Sequence, residues 1–120
     1  MYQLSLLKIP VSNIVASAKF YRDGLGFEEQ FVEEKYGWAQ FMAGEIPIGL
    51  YKPGMGGGTR APGGSVDFHL ATSELEQLRT RLKQYDPMLK VDICKNDDGS
   101  ETLEFKDPDG NEFKIGRASE

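Results

Sequence analysis

The chain has 120 residues and a formal net charge of −5, with acidic and basic residues interspersed. Because nucleic acids and anionic membranes attract basic surfaces, this charge argues against both as partners. No apolar run approaches the roughly 18–20 residues that span a bilayer, and the first ten residues lack the pattern of a secretory signal. With Cys94 as its single cysteine, the chain has no internal disulfide, which predicts a cytoplasmic protein.

The first half of the sequence predicts a β-α-β-β-β unit. Ser12 or Asn13 can cap its helix, because their side chains accept hydrogen bonds from first-turn amides. The helix is expected to end at Gly24 or Gly26, where glycine allows a left-handed C-cap. The four strands are expected at residues 4–11, 27–33, 37–43 and 46–51.

A linker follows this unit at residues 53–64. It holds six glycines and two prolines, a composition typical of a loop. Its glycine-rich stretch lacks the Gly-Lys-Ser/Thr ending of a phosphate-binding loop, and no helix follows it. We therefore interpret the segment as a linker over the mouth of a cavity.

The second half repeats the same order of elements after about 60 residues, which indicates an internal duplication. Ser73 is expected to cap its helix, with Glu76 at the capping-box position. Its strands are expected at residues 66–71, 89–94, 101–106 and 112–116. The sequence thus predicts an α+β fold of two tandem βαβββ modules in one domain, residues 1–120. Module one covers residues 1–52 and module two residues 65–120.

The first closing hairpin predicts which side chains of module one share a face. A two-residue turn at Gly44-Glu45 pairs Phe41 with Ile48, and this apolar pair should face the helix. The opposite face of the sheet then carries Trp38, Gln40 and Tyr51. A mixed polar and aromatic face is typical of a ligand cavity, although a solvated surface is the alternative.

The second closing hairpin gives the equivalent prediction for module two. A three-residue loop at residues 108–110, Pro-Asp-Gly, pairs Phe105 with Phe113 toward the helix. The same register sets Glu104 opposite Lys114 on the other face. This cross-strand pair of unlike charge is either a structural contact or part of a ligand site.

Several motifs resemble those of the glyoxalase/bleomycin resistance protein/dioxygenase superfamily, also called the vicinal oxygen chelate superfamily. Residues 9–13 (Ile-Pro-Val-Ser-Asn), 18–21 (Ala-Lys-Phe-Tyr) and 24–27 (Gly-Leu-Gly-Phe) resemble its first strand and helix. Residues 43–50 resemble its first closing hairpin, and residues 105–111 (Phe-Lys-Asp-Pro-Asp-Gly-Asn) its second. The resemblance implies paired βαβββ modules whose curved mixed sheets surround a cavity, often within a homodimer.

The resemblance also implies where a metal would be held. Metal-dependent members use four ligands, usually His, Gln or Glu, with two from each module. Carried over by motif, these positions are Leu6, Gly49, Val66 and Lys114. None of the four side chains offers a lone pair to a divalent ion. We therefore expect no metal and no cofactor, and no metal-dependent glyoxalase or dioxygenase activity.

The function predicted from these residues is metal-independent binding of a small molecule, such as sequestration of a drug or metabolite. The expected ligand contacts are Trp38, Gln40, Tyr51, Phe68, Glu104 and Lys114. Lys114 would present an ammonium group to an anionic group of the ligand. The further partner expected is a second copy of the chain, because a lone pair of modules leaves strand edges open.

Two alternative functions stay open at this point. The first is a lyase, isomerase or dioxygenase-like enzyme that uses a different site, with Lys114 and Glu104 as weak candidates for catalytic residues. The second is a non-catalytic interaction module. His69 shares strand parity with Ala71, which predicts a structural histidine on the helix side, and Cys94 is expected to be unreactive.

Overall fold

The structure, a computed structural model, describes residues 1–119. Its backbone forms two compact units that meet in sequence at Gly63 and Gly64, where the expected linker ends. Each unit is an open sheet with helical segments packed on it, so the predicted α+β class is confirmed. Among the described residues, no helix has the length and apolar character needed to cross a membrane.

Unit 1 is a four-stranded mixed sheet with strand order β1-β4-β3-β2, in which β1 runs parallel to β4. Its helix begins after Asn13, whose side chain accepts a hydrogen bond from the Ala16 amide at 3.0 Å, as the sequence predicted. The elements are β1 (Leu7–Pro10), α1 (Ile14–Lys19), a π-helical turn (Phe20–Gly24), β2 (Glu28–Glu33), a 3-10 turn (Glu34–Tyr36), β3 (Trp38–Ala43) and β4 (Ile46–Tyr51).

The core of unit 1 lies between the helical segments and one face of this sheet. Phe41 pairs with Ile48, and both are fully buried, which confirms the register expected from the Gly44-Glu45 turn. Tyr21 packs on the pair, with its ring 6.4 Å from that of Phe41. Burial of side chains of this size contributes about 1.5–3 kcal/mol each to the stability of the fold. Because this face of the sheet is buried against the helical segments, only the opposite face is left for other contacts.

Unit 2 is a mixed sheet with β9 near its centre. The short strands β5 and β6 both run parallel to β9 on one side, and β8 followed by β7 lies on the other side. Its elements are β5 (Gly64–Ser65), β6 (Leu70–Thr72), α2 (Leu75–Tyr85), β7 (Asp92–Lys95), β8 (Glu101–Lys106) and β9 (Asn111–Arg117).

The single strand expected at residues 66–71 is wrong, because the structure has two short strands, β5 and β6, with residues 66–69 between them outside any strand. Ser65 pairs with Glu112, and Leu70 pairs with Ile115. Between these two pairs the chain advances five residues, from Ser65 to Leu70, while β9 advances three residues, from Glu112 to Ile115. Two residues between β5 and β6 therefore have no partner in β9, as in a β-bulge. This bulge changes which side chains reach the polar face of the sheet.

The cap expected for the second helix is also wrong. The helix begins at Leu75, and Glu74 is the N-cap residue without a side-chain hydrogen bond. The Thr72 hydroxyl accepts a hydrogen bond from the Glu74 amide at 3.2 Å, so Thr72 rather than Ser73 organises this turn. Glu76 pairs with Arg117 of β9, which ties the helix to the sheet.

This ion pair gives unit 2 an acid-sensitive contact. The hydrogen bond from the Arg117 guanidinium lowers the pKa of Glu76 from its usual 4.5 to about 2. A lowered folded-state pKa favours folding while the group is ionised, so the contribution is complete above pH 4.5. It is lost as the pH falls through the folded pKa.

We expect the Glu76 carboxylate to titrate near pH 2 in NMR spectra of the native protein. In Arg117→Gln it should titrate closer to 4.5, and the thermal stability of this variant should fall less as the pH drops from 4.5 to 2. Because the Glu76 side chain is 56% exposed, the difference in stability should be small. Identical titration of Glu76 in the two proteins would contradict this assignment.

The β8–β9 hairpin has the predicted register, with Phe105 opposite Phe113. Its loop is organised by Asp107, which is only 5% exposed. The Asp107 carboxylate accepts hydrogen bonds from the Asp109 amide at 2.9 Å and from the Asn111 amide and side chain, each at 2.8 Å. Gly110 adopts a φ of 79°, the left-handed conformation that such a loop requires.

Candidate functional site

The polar face of the unit 2 sheet forms the floor of a cavity of about 770 Å³. The loop between α2 and β7 and the residues between β5 and β6 form its walls. Both Glu104 and Lys114, which the sequence predicted as ligand contacts, line it. The other lining residues are Ser65, Val66, His69, Asp86, Met88, Leu89, Lys90, Asp92, Cys94, Phe105, Lys106, Glu112 and Phe113.

Lys114 and Glu104 lie opposite each other across β8 and β9, as expected. They do not form an ion pair, and none of the ion pairs among residues 1–119 includes Lys114. The Glu104 Oε2 instead accepts a hydrogen bond from the Thr102 hydroxyl at 3.2 Å. Because Lys114 lines the cavity, an acidic group of a ligand could pair with its ammonium.

Cys94 lies on the same face, on β7. Partial burial, a hydrogen bond to the Glu104 carboxylate and the charge of that carboxylate raise the pKa of the Cys94 thiol. Because the thiolate is the nucleophilic form, this environment opposes reactivity at neutral pH. The thiol also occupies part of the hydrogen-bonding capacity of Glu104.

His69 lies on the polar face of the sheet, so its expected place on the helix side is wrong. His69 lines the cavity, whereas its neighbour Leu70 pairs with the buried Ile115. Phe68 points the other way and packs edge-on against Phe113, with the ring centroids 6.2 Å apart. Among the described residues, the cavity lining does not include Phe68, so a ligand contact by Phe68 stays a prediction.

The three other predicted ligand contacts lie together on the polar and aromatic face of unit 1. Trp38 pairs with Tyr51 and Gln40 with Gly49, and the Trp38 Nε1–H donates to the Gln40 Oε1 at 3.1 Å. Lys8 of β1 pairs with Gly49 and belongs to the same face. Its ammonium lies 5.3 Å from the centre of the Tyr51 ring, a cation–π contact.

The glycine-rich part of the expected linker packs on this face. We call residues 52–58 the cover segment. The Lys52 amide donates a hydrogen bond to the Gly37 carbonyl of unit 1 at 2.9 Å. Within the segment, the Gly54 amide donates to the Gly58 carbonyl, also at 2.9 Å. The Lys8 Nζ donates to the Gly57 carbonyl at 2.5 Å.

Glycines are required where the cover segment meets the aromatic rings. A Cβ on Gly57 would lie 2.7 Å from the Tyr51 Cβ and 3.0 Å from the Trp38 Cζ3. A Cβ on Gly58 would lie 2.7 Å from the Tyr51 ring. The backbone of the cover segment thus contacts the rings directly, and Tyr51 is only 4% exposed.

The residues at the positions predicted to correspond to metal ligands do not have the chemistry to bind a divalent ion. Gly49 and Lys114 are structurally equivalent, because each follows the partner of a buried Phe in its closing hairpin. The Trp38 indole fills the space beside Gly49, where a Cβ would lie 2.4 Å from its Cζ2. At the equivalent place Lys114 offers a cation, and residues 1–119 contain no cluster of three or more His, Cys, Asp or Glu side chains placed to bind a metal.

The fourth predicted position is Val66, which lies between β5 and β6 and lines the unit 2 cavity. Its hydrocarbon side chain offers no donor atom to a metal ion. The chemistry of the set therefore still does not match a divalent ion.

Each unit has an open mixed sheet with helical segments on one face and a polar face on the other. This duplicated arrangement is the fold that the sequence resemblance implied. The family model described as the glyoxalase/bleomycin resistance protein/dioxygenase superfamily matches residues 3–115. The chain belongs to this superfamily, so the resemblance found in the sequence is confirmed. No curated protein sequence matches the chain.

Solved structures with the same fold include a superfamily member from Sphaerobacter thermophilus DSM 20745, with a TM-score of 0.80, 22% identity and 98% of both chains covered. Lactoylglutathione lyase from Agrobacterium tumefaciens has a TM-score of 0.80 and 18% identity over 97% of this chain and 93% of that one. TnmS3, an antibiotic binding protein from Streptomyces sp. CB03234, has a TM-score of 0.77 and 22% identity over 99% of this chain and 98% of that one. At these identities the likeness concerns the fold.

Sequence reasoning missed Lys8 and the cover segment as parts of the unit 1 face. Strand parity gave a usable signal for Lys8, since it alternates with Leu7 and Ile9 and therefore points away from the helix. No local signal placed the cover segment, because glycine-rich composition is compatible with a free linker and with a packed segment alike.

Proposed function

We propose that this chain is a small-molecule-binding protein whose unit 2 cavity holds an organic ligand with an acidic group. The observation that carries the proposal is Lys114, which lines a cavity of about 770 Å³ and forms no ion pair within residues 1–119. A carboxylate or similar group on the ligand would form a charge-assisted hydrogen bond there. A cavity of this volume suits a drug-sized molecule.

The chemistry of the remaining lining supports binding rather than metal-dependent turnover. Met88 and Leu89 supply apolar surface beside the charged groups, a combination typical of ligand sites. The solved structure of TnmS3, which is described as an antibiotic binding protein, has the same fold. That likeness supports sequestration of a small molecule as a function this scaffold can perform.

The proposal predicts a charge-specific loss of binding in Lys114→Met. The probe is 2-naphthoate, an apolar bicyclic anion, and its neutral isostere is 2-naphthamide. Because a hydrogen bond to a charged group contributes about 1.5 kcal/mol or more, Lys114→Met should weaken 2-naphthoate binding by about tenfold. Binding of 2-naphthamide should be nearly the same in both proteins, as measured by calorimetry and by NMR shifts of unit 2 amides.

The matched control is Lys95→Met, which removes the same charge from the same sheet at a residue outside the cavity lining. It should leave the affinity for 2-naphthoate unchanged. Equal affinity of wild type and Lys114→Met for 2-naphthoate would overturn the proposal, as would shifts confined to unit 1.

The proposal includes a homodimer in the cytoplasm. Strands β1 and β2 form the edges of the unit 1 sheet, and open edges favour pairing with another chain. Sedimentation at micromolar concentration should therefore show a dimer, and a monomer throughout would count against this part. The single cysteine suits a reducing compartment.

A further inference from the structure

We propose that the cover segment, residues 52–58, is a resident occupant of a second ligand site on the Trp38–Tyr51 face of unit 1. A ligand of this face would be a planar molecule carrying a carbonyl-type oxygen, and it would bind by displacing the segment. None of the residues involved lines the unit 2 cavity, so this inference stands or falls apart from the function proposed above.

The cover segment presents to this face the same groups that such a ligand would present. A peptide group is flat, and at Gly57 and Gly58 it lies against Trp38 and Tyr51 without any intervening side chain. The Gly57 carbonyl oxygen accepts the hydrogen bond of the Lys8 ammonium at 2.5 Å. Flat surface and a positioned oxygen are the two features that the face recognises.

The cover segment is held by backbone hydrogen bonds and by Lys8, and it buries little apolar side chain. It packs on the rings through glycine backbone, which buries no apolar side chain of its own at the point of contact. Met55 is the one large apolar side chain in the segment, and it is 43% exposed. Segments with few buried apolar contacts open at low free energy, so an external molecule can compete with this one.

Gly57 is the position at which a substitution can separate the cover segment from the face. Gly57 does not have a positive φ, so another residue can adopt its conformation. The obstacle to a side chain is the Tyr51 Cβ, 2.7 Å from a Cβ at this place. Gly57→Val should therefore lift the cover segment from the face while the sheet beneath it stays folded.

The experiment follows the exposure of Trp38, which is the only tryptophan of the chain. Acrylamide should quench its fluorescence more strongly in Gly57→Val, and also in Lys8→Met, which loses the hydrogen bond to the Gly57 carbonyl. Thr59→Val is the matched control, because it places a valine two residues away at an exposed position and should leave quenching unchanged. Circular dichroism checks that each variant is folded.

Binding is measured with 2-quinolone, a planar and uncharged molecule with one carbonyl oxygen. The apparent affinity of a ligand rises with the fraction of molecules in which the site is open. Because Gly57→Val should increase that fraction, it should bind 2-quinolone about tenfold more tightly than wild type. Adding Lys8→Met to Gly57→Val should remove most of this gain. The inference is overturned if quenching is unchanged in both single variants, or if it rises while affinity for 2-quinolone does not.

Discussion

Gly49→Ala is expected to lower the free energy of unfolding by about 2 kcal/mol, because the added methyl group overlaps the Trp38 indole. Its Cβ would lie 2.4 Å from the Trp38 Cζ2 and 2.6 Å from the Cη2, closer than packed atoms come. The indole cannot move freely, because its Nε1–H donates a hydrogen bond to Gln40 and its ring packs against the backbone of Gly57. Urea unfolding measures the loss.

The chain offers a matched control for this substitution at Gly116. Like Gly49, Gly116 lies in a strand with neighbours on both sides, but a Cβ there would meet only the Leu70 carbonyl, at 4.0 Å. Gly116→Ala should be neutral or slightly stabilising, because alanine suits a strand better than glycine. In a Trp38→Ala background, Gly49→Ala should lose most of its cost. Equal effects of the two glycine substitutions would contradict the steric account.

Asp107→Ala is the second large effect, with an expected loss of about 3 kcal/mol of unfolding free energy. The carboxylate accepts three hydrogen bonds at the turn of the β8–β9 hairpin, including two from Asn111, which is 1% exposed. Without the carboxylate, the buried Asn111 loses the two hydrogen bonds that its amide and side chain donate to Asp107. Urea unfolding again provides the measurement.

Asp98 provides the control for Asp107, because it has the same role in the exposed turn between β7 and β8. Its carboxylate accepts hydrogen bonds from the Ser100 amide at 2.9 Å and from the Ser100 hydroxyl at 2.6 Å, and these bonds lower the pKa of Asp98. Water can replace them in Asp98→Ala, so this variant should lose well under half as much stability as Asp107→Ala. The account fails if the exposed turn is the more sensitive one.

The closing hairpins show what local sequence could predict. The residue types at Gly44-Glu45 and at residues 108–110 predict the length of each hairpin loop. The loop length then determines which residues of the two flanking strands are paired. The pairings of Phe41 with Ile48 and of Phe105 with Phe113 follow, and with them the face that carries Glu104 and Lys114.

The first strand of unit 2 shows where local reasoning fails. Parity assigns sides only along a continuous strand, and the bulge between Ser65 and Leu70 interrupts it. His69 was therefore expected on the helix side although it lines the cavity. The bulge depends on pairing with β9, more than forty positions further along the chain, and no local signal at residues 66–69 encodes it.

The cover segment shows the same limit for a loop. Its packing on Trp38 and Tyr51 depends on the absence of side chains at Gly57 and Gly58, which the composition hints at. The position of the segment depends on Lys8, which contacts it from a strand 49 residues earlier. Contacts of this range appear only once the sheet is assembled.

We propose that the positions predicted to correspond to the metal ligands of the superfamily, among them Gly49 in unit 1 and Lys114 in unit 2, bind no divalent ion in this chain. Elemental analysis of protein purified without chelator, from medium supplied with zinc, iron and nickel, tests it most directly. The account predicts far less than one equivalent of any of these metals per chain. One tightly held ion per chain would contradict it.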